Sequence, residues 1–466
     1  MSATATTEKK YLKWYQKLAY GSGDLASNCS YGLVSSFVLL YLTGTLGLDS
    51  AIIGSLMLAS KVLDGISDVI FGTLIDRTHS KLGKARPWML FGQVGVSLCL
   101  FLLFAIPAGS TTMQYIYFFI VYTALNAVFY TANGIAYSSL VALITKNNNE
   151  RVQLGSFRFM FAVVTNIFMG FAVTGMVEKF GSGAAGWRTT ALIFAIVGLV
   201  VNTISCLAVK ELPEEELSEA AEEGKAVAEE KKHGFAETAK ILVHNKYYLM
   251  ILAIYIVYYI MSNLTTGAGV FCATYYWGDG SLLGQFSMMK MFPVIIALAI
   301  APVLIKKTGS MQKVNFWGYA ISSVLGIPMI YFAMQKNISM FLLFMFIKGI
   351  FAGTLSGSLN ALIAEASGYT TRTTGVHMDG MMYSCSSLGV KVGGGIGTAA
   401  VGWLLKLGGF VGTATVQSES AIRMIFNLYI TFPFVIGIII TVLLAFLDVE
   451  KANKKWDAEH KKEAQA

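Results

Sequence analysis

Three charged residues stand in a stretch that is otherwise apolar: Lys61-Val-Leu-Asp64-Gly-Ile-Ser67-Asp68. Aspartates four residues apart share one face of a helix, and Lys61 lies one turn before Asp64. Two carboxylates on one dry face repel each other, and the loss of water adds to the penalty. Binding a monovalent cation, or a proton, relieves both. Na⁺ is a hard ion that prefers oxygen ligands, so Asp64 and Asp68 would ligate it, with the Ser67 hydroxyl completing the shell. The structural alternative is a permanent ion pair between Lys61 and one aspartate.

A second carboxylate, Asp24, lies in Gly21-Ser-Gly-Asp24-Leu-Ala-Ser-Asn28. A buried carboxylate accepts two hydrogen bonds from vicinal hydroxyls, so Asp24 is a candidate sugar anchor. The alternative is a helix N-cap near the start of its span. Tyr130-Thr131-Ala132-Asn133 adds polar groups that can face the same cavity. Arg158 and Lys391 are cations able to pair with the aspartates in one state and with a solute in another. Around Lys391 run Ser386, Ser387 and Gly389-Val-Lys391-Val-Gly393-Gly394-Gly395-Ile-Gly397. No Lys-Ser/Thr ends this glycine run, so it is no Walker A loop; small residues of this kind let helices pack closely.

These charges need a membrane around them. Of 466 residues, 55% are hydrophobic and only 13% charged, about half the charge of a soluble domain. A spanning helix takes roughly 20 apolar residues across a core about 30 Å thick. Candidate spans lie near 18–45, 50–76, 87–107, 112–145, 153–178, 188–209, 247–275, 283–305, 314–334, 339–366, 376–405 and 421–448. Most of the 35 Lys and Arg residues fall on the side that holds both termini, a positive-inside bias that places the termini in the cytoplasm of a cell inner-membrane protein. The net charge of +8 is therefore topological, and no nucleic-acid partner is expected. The first apolar stretch is too long for a signal h-region and lacks an A-x-A site, so it reads as span 1. The five cysteines all fall in spans without a CxxC pair, which points to neither a disulfide framework nor a metal site. Asn263-Leu-Thr265 lies inside span 7 and reads as a chance sequon.

The pattern divides into a six-helix half at 1–210, a charged cytoplasmic linker at 211–243, a second six-helix half at 244–449 and a charged tail at 450–466, read as a solvated face. Two six-helix halves around a midplane site form a common transporter plan. The loop Asp76-Arg77-Thr78-His79-Ser80-Lys81-Leu82-Gly83-Lys84-Ala85-Arg86-Pro87-Trp88 serves either as a topology anchor or as a gate whose bases meet acidic groups when the inner side closes.

Asp64-Gly-Ile-Ser-Asp68, followed by Gly72, Asp76 and Gly83-Lys84-Ala85-Arg86-Pro87-Trp88, resembles the signature of the glycoside–pentoside–hexuronide cation symporters. That family has the major facilitator superfold and includes the melibiose and glucuronide carriers; the resemblance runs from Gly21 through span 12. It implies an all-α protein of twelve transmembrane helices in two six-helix halves. By resemblance, Asp64 and Asp68 match the cation-site aspartates of span 2, Ser67 a position that is Asn in some relatives, and Thr131 a cation-site hydroxyl of span 4. Asp24 resembles the sugar-binding aspartate of span 1, and Arg158 the charged start of span 5. Lys391 resembles the span-11 lysine, with Ser386 and Ser387 at sugar-facing polar positions. The expected substrate-binding set is thus Asp24, Asn133, Arg158, Ser386, Ser387 and Lys391.

The sequence also departs from the family. The melibiose carriers have a second sugar aspartate where this chain has Gly134, and a tryptophan where it has Ser138. Val69 stands where much of the family has Pro, and Glu365-Ala-Ser-Gly368-Tyr369-Thr-Thr-Arg372 lacks the usual Tyr-Gly-Glu. A pocket that loses an anion but keeps Arg158 and Lys391 is expected to favour an acidic sugar such as a uronide or a sulfonated sugar.

The expected activity is Na⁺- or H⁺-coupled sugar symport by alternating access, performed by a monomer without a cofactor. An intramembrane aspartyl protease needs its aspartates on two helices, whereas Asp64 and Asp68 lie on one, about 6 Å apart along its axis. No GxGD or YD pair occurs on separate spans, so the chain is not read as an enzyme. A non-transporting sugar sensor and an uncoupled facilitator of the same fold are the alternatives.

Overall fold

The computed structural model describes residues 9–213, 241–375, 379–414 and 416–463. Among them the chain is helical, with no strand. The long helices are α1 (Trp14–Thr45), α2 (Ser50–Asp76), α3 (Arg86–Leu103), α4 (Thr111–Ile144), α5 (Asn148–Lys179) and α6 (Gly183–Leu207). They continue with α7 (Lys246–Tyr276), α8 (Leu282–Thr308), α9 (Met311–Met334), α10 (Ile338–Thr374) and α11 (Asp379–Leu407). The last, α12, is built from Glu419–Phe426, Asn427–Thr431 and Phe432–Phe446 and is followed by the shorter α13 (Val449–Glu463). Among the described residues, eleven helical stretches are long and apolar enough to cross a membrane. The twelfth span, α2, is the helix that carries Lys61, Asp64 and Asp68. The protein is an all-α, multi-pass membrane protein.

The chain divides into two compact units, Met1–Ala228 with Val411–Thr415, and Glu229–Phe410 with Val416–Ala466. Of the twelve long helices, α1 to α6 belong to the first unit and α7 to α12 to the second. The linker read at 211–243 lies, from 214 to 240, outside the described residues.

Helix α2 shows how a span holds charge. Lys61, Asp64 and Asp68 fall within about 60° of arc at 3.6 residues per turn, and Val62, Ile66 and Val69 point the opposite way. The three apolar side chains are exposed, as lipid-facing residues are, while Asp64, Ser67 and Asp68 are half-buried. The Asp49 carboxylate starts the helix, accepting from the amides of Ala51 and Ile52.

Three carboxylates hold backbone amides of segments distant in sequence. Glu211 accepts from the amides of Lys84, Ala85 and Arg86 at 2.7, 2.9 and 3.0 Å, and so caps α3, whose first turn holds Pro87. Arg86 turns inward and donates to the Cys206 carbonyl at 3.2 Å. In the loop 76–88 the acidic partner is thus a residue that caps a helix within the same unit. Glu150 accepts from the amides of Tyr11 and Leu12, each at 3.2 Å, and meets Lys17 Nζ at 3.0 Å. Glu450 accepts from the amides of Met311 and Gln312 at 2.7 and 3.0 Å, capping α9. The tail at 450–466 is therefore more than a solvated face. Within α13, Glu450 and Asn453 are buried, and Asn453 bonds Glu365 and Arg372 of α10.

The glycine run of α11 packs on α7. A Cβ on Gly389 would lie 2.3 Å from the Tyr255 Cβ, and one on Gly393 would lie 2.4 Å from the Ile256 carbonyl oxygen. The backbones approach as close-packed membrane helices do.

Candidate functional site

The first unit gathers two polar clusters on α1, α2, α4 and α5. The Thr131 hydroxyl lies 2.7 Å from Asp64 Oδ1 and 2.9 Å from the Asn126 carbonyl oxygen. Thr131 follows the π-helical stretch Ala124–Tyr130, a wide turn that often marks a functional position in an α-helix. The carbonyl five residues back is within reach of the hydroxyl because of that turn. On the other side, Lys61 Nζ stands 3.6 Å from Asp64 Oδ2. Asp68 lies one turn further along the same face of α2. Ser67 donates its hydroxyl to the Asp64 backbone carbonyl at 2.9 Å. The Asp64 carboxylate and the Thr131 hydroxyl offer oxygen ligands, which suit a hard monovalent cation.

The second cluster centres on Asp24. Arg158 of α5 donates through Nε to Asp24 Oδ2 at 2.5 Å, and its guanidinium carbon lies 4.2 Å from the centre of the Tyr137 ring. Such stacking holds a planar cation in place. Two glycines make the approach possible. A Cβ on Gly21 would fall 2.6 Å from the Phe157 Cβ, and one on Gly23 would fall 2.8 Å from the Tyr137 ring. Without side chains there, α5 and α4 close on α1 beside Asp24. Helix α1 breaks at Ser22 and resumes with Asp24 in its first turn, where the positive end of the helix dipole favours a carboxylate. The Ser22 side chain makes no cap there. Tyr20 and Tyr137 lock the break, each hydroxyl donating to the other's backbone carbonyl. Asn28 and Asn166 extend the polar strip, joined at 2.8 Å.

The structure thus brings Asp64 to Thr131 and Asp24 to Arg158. Asn133 goes elsewhere: it is buried, and its amide donates to the Met89 carbonyl and Gln93 Oε1 at 3.2 and 2.9 Å. That amide is used in packing α4 on α3, where Gly92 makes room. Gly134 differs, because a Cβ there would meet nothing within 4 Å, leaving open space where the melibiose carriers have an aspartate. Ser386, Ser387 and Lys391 lie on α11 of the second unit, with the Ser386 hydroxyl donating to the Tyr383 carbonyl at 2.8 Å. Sequence reading missed Tyr137, which no local signal singles out. It also passed over Lys290 and Lys348, although a charge in mid-span is itself a signal.

The family model described as MFS/sugar transport protein matches residues 19–451. The chain is 26% identical to the isoprimeverose transporter of Lactiplantibacillus pentosus, over 97% of this chain and 92% of the relative. It is 23% identical to a glucuronide carrier protein homolog of Escherichia coli (strain K12), over 86% and 85% of the two chains. A solved D-xylose-proton symporter shares the fold, with a TM-score of 0.64 at 13% identity over 94% of this chain and 98% of that one. The proteins of this group are transporters and not enzymes. With its span-2 aspartates, its membrane helices and these relatives, the chain belongs to the MFS/sugar transport family, in its branch of glycoside–pentoside–hexuronide symporters.

Proposed function

We propose that this chain is a secondary transporter that couples inward movement of a sugar or glycoside to one monovalent cation, Na⁺ or H⁺. Its membrane is the cell inner membrane, both termini are cytoplasmic, and one chain suffices. The observation that carries the reading is the Asp64–Thr131 contact of 2.7 Å on a helix face shared with Asp68. Asp64 and Asp68 bind the cation; Thr131 supplies a hydroxyl oxygen. The Ser67 hydroxyl is turned to the backbone, so its part is to shape the turn between the two aspartates. Asp24 and Arg158 bind the solute, the carboxylate accepting from sugar hydroxyls and the guanidinium donating to sugar oxygens.

Coupling runs through α4, which carries both Thr131 and Tyr137, six residues or about 9 Å apart along its axis. A cation that draws Thr131 and Asp64 together shifts the helix on which Arg158 rests. Linkage then requires that sugar raise cation affinity by the factor by which cation raises sugar affinity. The charge of Arg158 is balanced by Asp24, so this pair reads hydroxyls rather than solute charge. Any preference for an acidic sugar rests on Lys391, Ser386 and Ser387 of the second unit.

The test is uptake of a panel of neutral and acidic glycosides into proteoliposomes under a Na⁺ gradient, a pH gradient or neither. Accumulation above equilibrium under one gradient supports symport. A second reading, an uncoupled facilitator, is favoured by the Lys61–Asp64 ion pair at 3.6 Å; it requires equilibration at the same rate with and without a gradient. A sugar sensor gives binding without uptake.

A further inference from the structure

We infer that the second unit contains a binding site for a small monovalent anion, built from Lys290 and Lys348. Both line one cavity of about 180 Å³ bordered by α7, α8, α9, α10 and α12. At about 30 Å³ per water, that volume holds roughly six waters, or an anion of a few heavy atoms with part of its hydration shell. Lys290 is the ninth residue of α8 and Lys348 the eleventh of α10. At 1.5 Å per residue both lie about 12–15 Å in from their helix starts, at similar depth.

The two helices are held close at that level. A Cβ on Gly349 would stand 2.8 Å from the Pro293 Cβ and 3.6 Å from the Met289 carbonyl oxygen. Gly349 follows Lys348, and Met289 precedes Lys290, so the neighbours of both lysines touch across the helix pair. Lys290 Nζ reaches the hydroxyl oxygens of Thr265 and Thr266, each at 3.3 Å. Those hydroxyls already donate to carbonyls of their own helix, so they offer the ammonium lone pairs and no charge. Lys348 has no hydrogen bond or ion pair among the described residues.

Among the described residues no carboxylate pairs with either cation. Helices α7, α8 and α9 contain no Asp or Glu at all, and neither does the 427–446 part of α12 that borders the cavity. The one acidic residue of α10, Glu365, lies seventeen positions beyond Lys348, about 25 Å along the helix, and bonds Asn453 of α13. A half-buried ammonium without a counter-charge is held at a cost in lost hydration, and two together cost more. An entering anion removes that cost. The apolar wall, with Met289, Phe341 and Phe434, selects its kind. Dehydration rises steeply with charge, so a halide, nitrate or carboxylate enters where sulfate does not. The site belongs to the second unit and the cation site to the first.

The experiment is the thermal unfolding midpoint of the purified full-length chain in detergent, without sugar. Sodium chloride replaces sodium sulfate stepwise at constant sodium concentration, and in a separate series at constant ionic strength. The expected result is a saturable chloride-dependent rise whose half-saturation moves at least tenfold higher in Lys348→Gln and in Lys290→Gln. Both variants remove a half-buried charge and are expected to fold. A second arm adds sodium glucuronate. Competition with chloride assigns the site to the carboxylate of a solute, whereas additive stabilisation leaves it to the inorganic ion. A wild-type midpoint that follows ionic strength alone, or a chloride response unchanged in both glutamine variants, overturns the proposal. With sodium constant and sugar absent, that failure leaves the symport reading untouched.

Discussion

The hydroxyl of Thr131 meets the carboxylate of Asp64 at 2.7 Å across two helices of the first unit. These residues are 67 positions apart, and a π-helical turn beside Thr131 brings its hydroxyl within reach of the Asn126 carbonyl as well. The contact joins the helix that carries the buried charges to the helix that supports Arg158. If the pair serves a cation, Thr131→Val is expected to raise the half-saturating cation concentration for uptake about tenfold, with sugar binding without cation little changed. Uptake rate against Na⁺ concentration or pH measures it. An unaltered cation dependence removes Thr131 from the site.

Asp68→Asn is expected to leave the protein folded and inserted while abolishing uphill accumulation. Preserved Na⁺- or H⁺-driven accumulation in this variant contradicts the cation assignment.

Arg158→Lys keeps the charge but loses the planar fork and the stacking on Tyr137. The expected result is a KM for sugar about tenfold higher. Arg158→Ala is expected to be worse in stability as well, since Asp24 is left half-buried without its cation, a loss of roughly 3–5 kcal/mol for pairs of this kind. Asp24→Asn combined with Arg158→Gln restores the unfolding midpoint without restoring uptake. Equal KM values for the wild type and Arg158→Lys show that the pair is structural only.

Gly21→Ala places a methyl group 2.6 Å from the Phe157 Cβ. Overpacking of this kind costs about 1–3 kcal/mol. Because the displaced segment carries Arg158, uptake is expected to fall more than stability does. Gly134→Ala, with nothing within 4 Å of its Cβ, serves as the control and is expected to leave the unfolding midpoint unchanged. Detergent-solubilised unfolding and uptake, measured on the same preparations, separate the two effects.

Glu450→Ala removes the carboxylate that caps α9 and ties α13 to it. Loss of a helix cap costs about 0.5–2 kcal/mol. The expected result is a lower unfolding midpoint and earlier proteolysis within 450–463, with cation dependence of uptake unchanged. Resistance to proteolysis equal to wild type contradicts the docking role.

What the amino-acid order determined by itself is local and solvent-driven. Twelve spans follow from the need to keep polar backbone out of hydrocarbon. The charged face of α2 follows from a period of 3.6, which puts Lys61, Asp64 and Asp68 on one side and Val62, Ile66 and Val69 on the other. The motif from Asp64 to Trp88 was enough to suggest the family. Tertiary structure decided the partners. Arg158 finds Asp24 134 positions away because Gly21 and Gly23 let helices close on α1, and Glu211 caps α3 from beyond α6. Asn133, polar and well placed in the chain, is taken into packing against α3. Lys290 and Lys348 share one cavity because α8 and α10 touch through Gly349. Periodicity reports which side of one helix is dry; it carries no information about which other helix will cover that side, and that choice lies in side-chain volumes distant in sequence.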